Sequence, residues 1–477
     1  KVPIPVGSLP NSLQYLKLGT TYNQPILPGV LPNSLIYLKF GHFFDQSIAV
    51  DSLPTSLTTL RFGYEFDKRL PLGSLPQSIT LLSFGNYNHP IEPGFLPISL
   101  TSLKFTNLFN QLIEVDTLPT SLTELSLSDC FNQSIVPGSL PRSLKTLLFG
   151  KHFNMPLNPG DLPDSLITLD LGETYDQRPS RNVFPKSLTR LAWLRKRSMK
   201  TTDLPPSITS LALGRKPNQP STYPPALVEL TFNLNFDIII ESLPSTLTKL
   251  TLGGNFDRFI QRFSLPKSLI TINFGPYFSK PLIEGMLPDG VREINFGRYF
   301  NRPLINLPSS LQHLSTGIDF NQTIIELPHG LKSLHFHYLP VTDGKCVLAM
   351  SKSPPTVDTV TMHIHYFQSI VNVPALPMNT RTLNVFVEVR YSHKTVDLRA
   401  AGIRSITRVM SSEPTIMDYK ITFHRMLLHQ ETVKKIAVTL RARRMDNHCI
   451  LVVVIDVCPK NSKGLIIRTI DIRDELI

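Results

Sequence analysis

Five histidines crowd one stretch of the chain: His313, His335, His337, His363 and His365. Imidazole is a common ligand for zinc and related metals, so their spacing matters. His337 lies nine residues after Pro328 and His363 nine after Pro354. If the chain coils on those prolines, the two rings come within about 5 Å of each other. A metal site also needs partners that orient the rings, and the neighbouring sequence supplies none. The group reads as unrelated histidines on a polar strand face, and no metal or other cofactor is expected.

Positive charge offers a second kind of chemistry. Between Gln177 and Lys216 stand Arg178, Arg181, Lys186, Arg190, Arg195, Lys196, Arg197, Lys200, Arg215 and Lys216, against one acid, Asp203. That local excess accounts for most of the chain's net charge of +12, so the basicity is a patch. Enzyme signatures are missing from the sequence: no G-x-x-x-x-G-K-[ST], no strand-linked G-x-G-x-x-G, no H-E-x-x-H and no G-x-S-x-G. Carboxylates number only 36 in 477 residues, and nothing singles out the pair a glycosidase requires. The expectation is a non-enzymatic protein. Four cysteines without C-x-x-C spacing favour a reducing compartment, so a cytoplasmic setting is expected. The longest apolar run, residues 449–457, is too short to span a bilayer.

The element that must position these side chains is a repeat. Aligned on proline, the chain recurs every 19–22 residues, in sixteen units from Pro10 to Pro328, with weaker units at Pro354 and Pro377. The consensus reads L-P-x-S-L-x-x-L-x-F-G-x-x-F-N-Q-P-I-x-P-G-x. Three residues after each of the sixteen prolines comes Leu, Ile or Val, and six after comes Leu or Ile. Eight after comes Phe, Leu or Trp193, broken only by Thr316. Positions six and eight share one face of a strand. One short strand per unit, stacked on the next, is the pattern of a solenoid. Prolines and glycines at this density leave few or no helices. The fold expected is mainly β: a solenoid of about 18 coils, one short parallel strand per coil, over residues 1–390, degenerate from about 340. Residues 391–477 read as a β-rich C-terminal cap, with strands at 417–425, 433–441, 449–457 and 464–472.

Three columns carry further expectations. The Ser two after the proline reads as a small packing residue. The Gly that follows the strand reads as a turn needing positive φ. The aromatic–Asx pair, as in Phe131-Asn132 and Phe44-Asp45, exchanges Asn and Asp freely. Its common property is an acceptor oxygen, so it reads as a local turn cap taking bonds from backbone N–H groups.

These columns resemble the FNIP-repeat family, related in pattern to leucine-rich repeats. The motif stands here as "YNQPILPGVLP" (22–32) and "FNQSIVPGSLP" (131–141). The resemblance covers residues 1 to about 340 and departs at Leu194 to Asp203. It implies a substrate-recognition arm of the kind found in amoebae and their large DNA viruses, often behind an F-box that recruits a ubiquitin-ligase core. No F-box is visible in this sequence, and an F-box or capping segment is expected N-terminal to Lys1.

Binding is expected on the outward strand face, five and seven residues after each proline. In the first coils these are Tyr15 and Lys17, Tyr37 and Lys39, Thr59 and Arg61, and later Lys104. Like charges on neighbouring strands repel, and an acidic ligand relieves that repulsion. A second candidate is the unit at 187–205, where Arg190 opens a strand and Arg195, Lys196, Arg197 and Lys200 replace the Gly and the aromatic–Asx pair. Trp193 keeps the core column, so only the turn is exchanged for exposed charge, as in a binding bulge. The partner expected is a protein with an acidic surface. No membrane partner is expected, and nucleic acid is disfavoured because aromatic interleaving is thin. A structural component of a particle or assembly is the alternative, and a carbohydrate- or metal-binding module the third reading.

Overall fold

The structure, a computed structural model, describes residues 2–178, 182–194, 204–214, 223–233, 237, 240, 243–322, 324, 327–337, 341–342, 345–346, 357–364, 382–390, 418–429, 432–444, 449–457 and 466–471. Two compact units divide the chain, Lys1–Asn233 and Leu234–Ile477.

In the first unit the strands are β1 (Tyr15–Lys17), β2 (Tyr37–Lys39), β3 (Thr59–Arg61), β4 (Leu81–Phe84), β5 (Ser102–Phe105) and β6 (Glu124–Ser126). They continue as β7 (Thr146–Leu148), β8 (Thr168–Asp170), β9 (Arg190–Trp193), β10 (Ser210–Leu213) and β11 (Glu229–Phe232). Each pairs in parallel with the next and without register drift: Leu16 meets Leu38, Leu38 meets Leu60, and Leu191 meets Leu211.

The second unit opens the same way with β12 (Lys249–Thr251), β13 (Thr271–Asn273), β14 (Glu293–Asn295), β15 (His313–Thr316) and β16 (Ser333–Phe336). A small antiparallel pair follows, β17 (Val341–Thr342) and β18 (Lys345–Cys346). Then β19 (Thr359–Ile364) and β20 (Thr382–Arg390) rejoin the parallel stack. The last four strands are β21 (Asp418–His429), β22 (Thr432–Arg444), β23 (Cys449–Val457) and β24 (Ile466–Asp471). Of these β21 runs parallel to β20, and the rest alternate antiparallel. Among the described residues no helix occurs. The protein is a parallel β-solenoid of the leucine-rich-repeat kind.

The strand begins five residues after the proline in every unit, including the two weak ones at Pro354 and Pro377. The cause is a tight turn. Leu35 N donates to Pro32 O at 3.1 Å and Leu57 N to Pro54 O at 3.1 Å, so proline's preset φ opens a turn that closes three residues on. Side chains then alternate. Leu38, Leu60, Leu82 and Leu103 are buried, while Lys39, Arg61 and Lys104 on the same strands are exposed. The strand-end Phe and the Phe of the Phe-Asn pair stack within a coil, at 3.9 Å for Phe62–Phe66 and 3.7 Å for Phe149–Phe153. Between coils Phe44, Phe66 and Tyr87 stack at 6.1 and 6.4 Å. Each buried aromatic contributes about 3 kcal/mol of burial, and none of it is available to a coil standing alone.

Three expectations about the columns need correction. The Asx residue reaches across coils rather than capping its own turn. Asp45 N donates to Asn23 Oδ1 at 3.0 Å, Asp67 N to Asp45 Oδ1 at 3.0 Å, and Asn88 N to Asp67 Oδ1 at 3.0 Å. The series runs on through Asn110, Asn132 and Asn154 to Asp176 N. The acceptor role holds, but the donor belongs to the same column one coil on.

The serine is a hydrogen-bonding residue as well as a small one. Ser34, Ser56, Ser78 and Ser143 each donate to a Leu carbonyl of the preceding coil at 2.7–2.8 Å. Valine would fill that space and lose the bond.

The glycine after the strand serves close approach, and in this column only Gly172, at 76°, has the positive φ expected among the described residues. A Cβ on Gly63 would stand 1.8 Å from Gly41 O, and one on Gly297 2.0 Å from Gly275 O. Positive φ otherwise falls mainly at the P-G column, where Gly29 and Gly73 have φ of 80° and 82°, and Asp51 and Asp116 take the same conformation at 63°.

Candidate functional site

Register turns the outward columns into ladders. In β1 to β3 Lys17 stands beside Lys39 and Lys39 beside Arg61, and Tyr15 beside Tyr37. The Tyr15 and Tyr37 rings lie 6.0 Å apart and tilted by 33°. Lys17 Nζ sits 5.8 Å from the Tyr37 ring centre, a cation over an aromatic face. Tyr15 is 66% exposed, so the pair forms a step open to solvent. None of the three cations makes an ion pair among the described residues. The nearby acids are engaged elsewhere: Asp45 with Lys68 at 2.8 Å, Asp67 with His89 at 3.1 Å, and Glu65 with His42 at 3.7 Å. Three cations about 4.8 Å apart therefore face water with no carboxylate between them.

Beyond Arg61 the column continues as Ser83 and then Lys104. Lys104 thus extends the positive edge after one neutral step. Arg190 lies elsewhere: it occupies the tyrosine column of β9, between Thr168 and Ser210, far along the stack from Lys17. Arg195, Lys196, Arg197 and Lys200 lie outside the described residues.

The outward columns of the second unit are built differently. Asn295 Nδ2 donates to Asn273 Oδ1 at 2.7 Å and to Glu293 Oε1 at 2.8 Å, and Asn273 Nδ2 donates to Thr251 Oγ1 at 3.0 Å. Thr271 Oγ1 donates to Glu293 Oε2 at 3.4 Å, and His313 Nδ1 lies 3.2 Å from Ser333 Oγ. This face satisfies itself, coil to coil.

The histidine group is only partly assembled. The rings of His335 and His337 are 4.5 Å apart, and burial pushes the His337 imidazole below its ordinary value, which favours the neutral ring. The His363 side chain and His365 lie outside the described residues. Among the described residues no three His, Cys, Asp or Glu side chains are grouped to hold a metal. On the back of the first unit Arg69 pairs with Glu92 across a shallow hollow that also touches Tyr87. Burial pushes the Tyr87 hydroxyl up to about 12, so it stays protonated at neutral pH and is no base. No described helix is long and apolar enough to cross a membrane.

One pattern escaped sequence reasoning. Where the Asx column holds Asn, a Gln one coil on usually donates to it: Gln46 to Asn23 at 3.0 Å, Gln111 to Asn88 at 3.0 Å, and Gln322 to Asn301 at 2.9 Å, with Met155 after Asn132 an exception. Where it holds Asp, that position carries Lys, Arg or His. Lys68 meets Asp45, His89 meets Asp67, Arg258 meets Asp237, and Lys280 meets Asp257. The exchange of Asn and Asp is compensated, and the signal was present as co-variation between adjacent copies of the repeat.

A family profile and one solved structure agree with this architecture. The FNIP Repeat profile matches residues 2–43, 44–87, 66–108, 87–130, 109–152, 131–174, 153–192, 235–277, 278–319 and 300–339. No curated protein sequence matches the chain. Among solved structures, it is similar to CroV588, described as a novel circular LRR protein. The TM-score is 0.56 and the identity 31%, over 90% of this chain and 68% of that one. YopM from Yersinia enterocolitica WA-314 aligns with a TM-score of 0.36 and 21% identity, over 81% of this chain and 90% of that one.

Proposed function

The chain belongs to the FNIP repeat family, and from that footing we propose that it acts by binding rather than catalysis, holding an acidic protein segment on the strand face of β1 to β3. The observation that carries the reading is the uncompensated ladder Lys17–Lys39–Arg61, flanked by the step of exposed Tyr15 on half-buried Tyr37. Repeat solenoids of this kind are scaffolds whose outer columns vary while the core columns do not. Aromatic and Arg side chains are the usual anchors of protein interfaces, and both stand here on rigid strands. Lys104 extends the same edge. The segment carrying Arg195, Lys196, Arg197 and Lys200, with Arg190 beside it, forms a second and separate contact for an acidic partner.

The test is direct. A fluorescein-labelled peptide pool rich in Asp and Glu binds the wild-type chain in an anisotropy titration, more weakly as salt rises, and Lys39→Glu with Arg61→Glu abolishes binding. Binding that survives the double reversal removes the site. Changing Arg195, Lys196, Arg197 and Lys200 to Glu tests the second contact in the same assay; an unchanged affinity removes that contact alone.

In its cellular setting the chain serves, on this proposal, as the substrate-binding arm of an F-box-type ubiquitin-ligase adaptor in an intracellular compartment. Support for that finer role is the family pattern alone. Co-purification of a ubiquitin-ligase core with the natural full-length protein supports it, and its failure leaves only the binding arm.

A further inference from the structure

Resting on the binding reading above, we infer that the ligand group held by the Lys17–Lys39–Arg61 ladder is a phosphomonoester on a partner protein, a phosphorylated serine or threonine in an extended segment, rather than a plain carboxylate. The structure sets the problem in charge. Three full positive charges stand in consecutive register on one face. The next side chain in their column is the neutral Ser83. The first carboxylate on this face after Arg61 is Glu124 in β6, three strand steps on, or about 14 Å at the usual strand spacing. A side-chain carboxylate brings one negative charge and leaves two cations uncompensated. A phosphomonoester brings between one and a half and two charges near neutral pH and three strong acceptor oxygens. It therefore has a third oxygen and nearly twice the charge to share among the rungs, where a carboxylate has two oxygens and a single charge.

The donor types fit as well. Lys17 and Lys39 are point charges on long stems that can converge on one oxyanion, and Arg61 adds the planar fork suited to phosphate oxygens. All three are exposed, so they can swing together without disturbing the buried Leu38 and Leu60 beneath. The Tyr15–Tyr37 step lies two residues back along the same strands, where it offers an apolar floor for the residue beside the phosphate. A nucleic acid strand fits less well. Among the described strands the cationic run spans two steps, roughly 10 Å, with one aromatic step beside it, where single-strand binders stack successive bases.

The experiment uses three degenerate nonapeptide pools, labelled with fluorescein and alike except at the central residue, which is phosphoserine, Glu or Ser. Anisotropy titrations with the full chain are expected to show the phosphoserine pool binding at least about tenfold more tightly than the Glu pool, and the Ser pool not binding. Lys39→Ala and Arg61→Ala each weaken the phosphoserine pool about tenfold or more and bring it towards the Glu pool. Lys267→Glu, an exposed cation of the second unit, changes nothing. Thermal melts of every variant check folding, and these exposed substitutions leave the midpoint near that of the wild type. Equal affinity for the phosphoserine and Glu pools overturns this inference while leaving the acidic-segment reading intact. Loss of binding by every pool, together with failure of the Asp/Glu-rich pool, overturns both. An unlabelled single-stranded oligonucleotide that displaces the phosphoserine pool at lower concentration than free phosphoserine peptide does also overturns it, in favour of nucleic acid.

Discussion

Two strand faces of this protein rest on the same backbone and the same core, and they differ in how their outward side chains are satisfied. On β12 to β16 Asn295 ties Asn273 and Glu293 together, Asn273 reaches Thr251, and His313 meets Ser333. On β1 to β3 Lys17, Lys39 and Arg61 stand in register with one another, and the next side chain in their column is the neutral Ser83. In the first arrangement these side chains bond one another from coil to coil. The second stores repulsion that an anion would release. A repeat frees its outer columns from structural duty, and what separates a structural face from a binding face is whether neighbouring coils answer each other's chemistry.

The comparison can be broken first at the core, where no difference between the units is expected. Phe66→Ala and Phe278→Ala each remove a fully buried ring stacked on neighbouring coils. Each should cost about 3–5 kcal/mol in urea unfolding. A large disparity would mean that the two cores are not equivalent.

On the self-satisfied face, Asn295→Ala leaves Asn273 Oδ1 and Glu293 Oε1 without their donor. The expected loss is about 1 kcal/mol by the same measurement.

Titration separates the two units by sign. Burial alone would raise the Asp257 carboxyl, but bonds from Lys280 and Ser279 outweigh it and hold the group below its ordinary range. Its contribution is present above the unfolded value of about 3.9 and is lost as pH falls through the lower folded value. Asp170 in the first unit is pushed up by burial, against the bond it accepts from Gly172 N. Its ionised form opposes folding, so stability is gained as pH falls through its raised value. Asp257→Asn should flatten the acid loss of stability and Asp170→Asn should remove the gain, both read from melting temperature against pH.

The smallest effect is the most pointed. Lys39→Ser should leave the free protein as stable or raise its melting temperature by about a degree or two, with the difference shrinking as salt screens the ladder. A clear loss of stability would show that Lys39 is held by structure rather than kept for a ligand.

Most of the fold could be read before any coordinates, because each column repeats its constraint many times. The interval from proline to strand is kept even at Pro354 and Pro377, where the rest of the consensus has faded. What could not be read was which neighbour each side chain addresses. Asn23 and Ser34 look local in sequence, yet Asn23 receives its bond from the coil that follows and Ser34 gives its own to the coil before. Gly63 looks like a turn residue, yet it is needed because Gly41 O lies where its Cβ would be. Contacts between coils sit about twenty residues apart, beyond the reach of turn rules. The ladder at Tyr15 to Arg61 was legible because period-two alternation places it outward. The Asn273–Asn295–Glu293 network was not, since nothing in those residue types says they bond to one another. The charged segment at 195–200 lies outside the described residues.

The central claim is tested most directly by lysine footprinting. The full chain is treated with an amine-acylating reagent with and without the phosphoserine peptide pool, and modification is read by mass spectrometry at Lys17, Lys39, Lys104, Lys249 and Lys267. The account predicts that the peptide slows labelling of Lys17 and Lys39 several-fold and leaves Lys249 and Lys267, in the second unit, as they were. Uniform slowing across all five, or none at Lys17 and Lys39 while the peptide is bound, would contradict it.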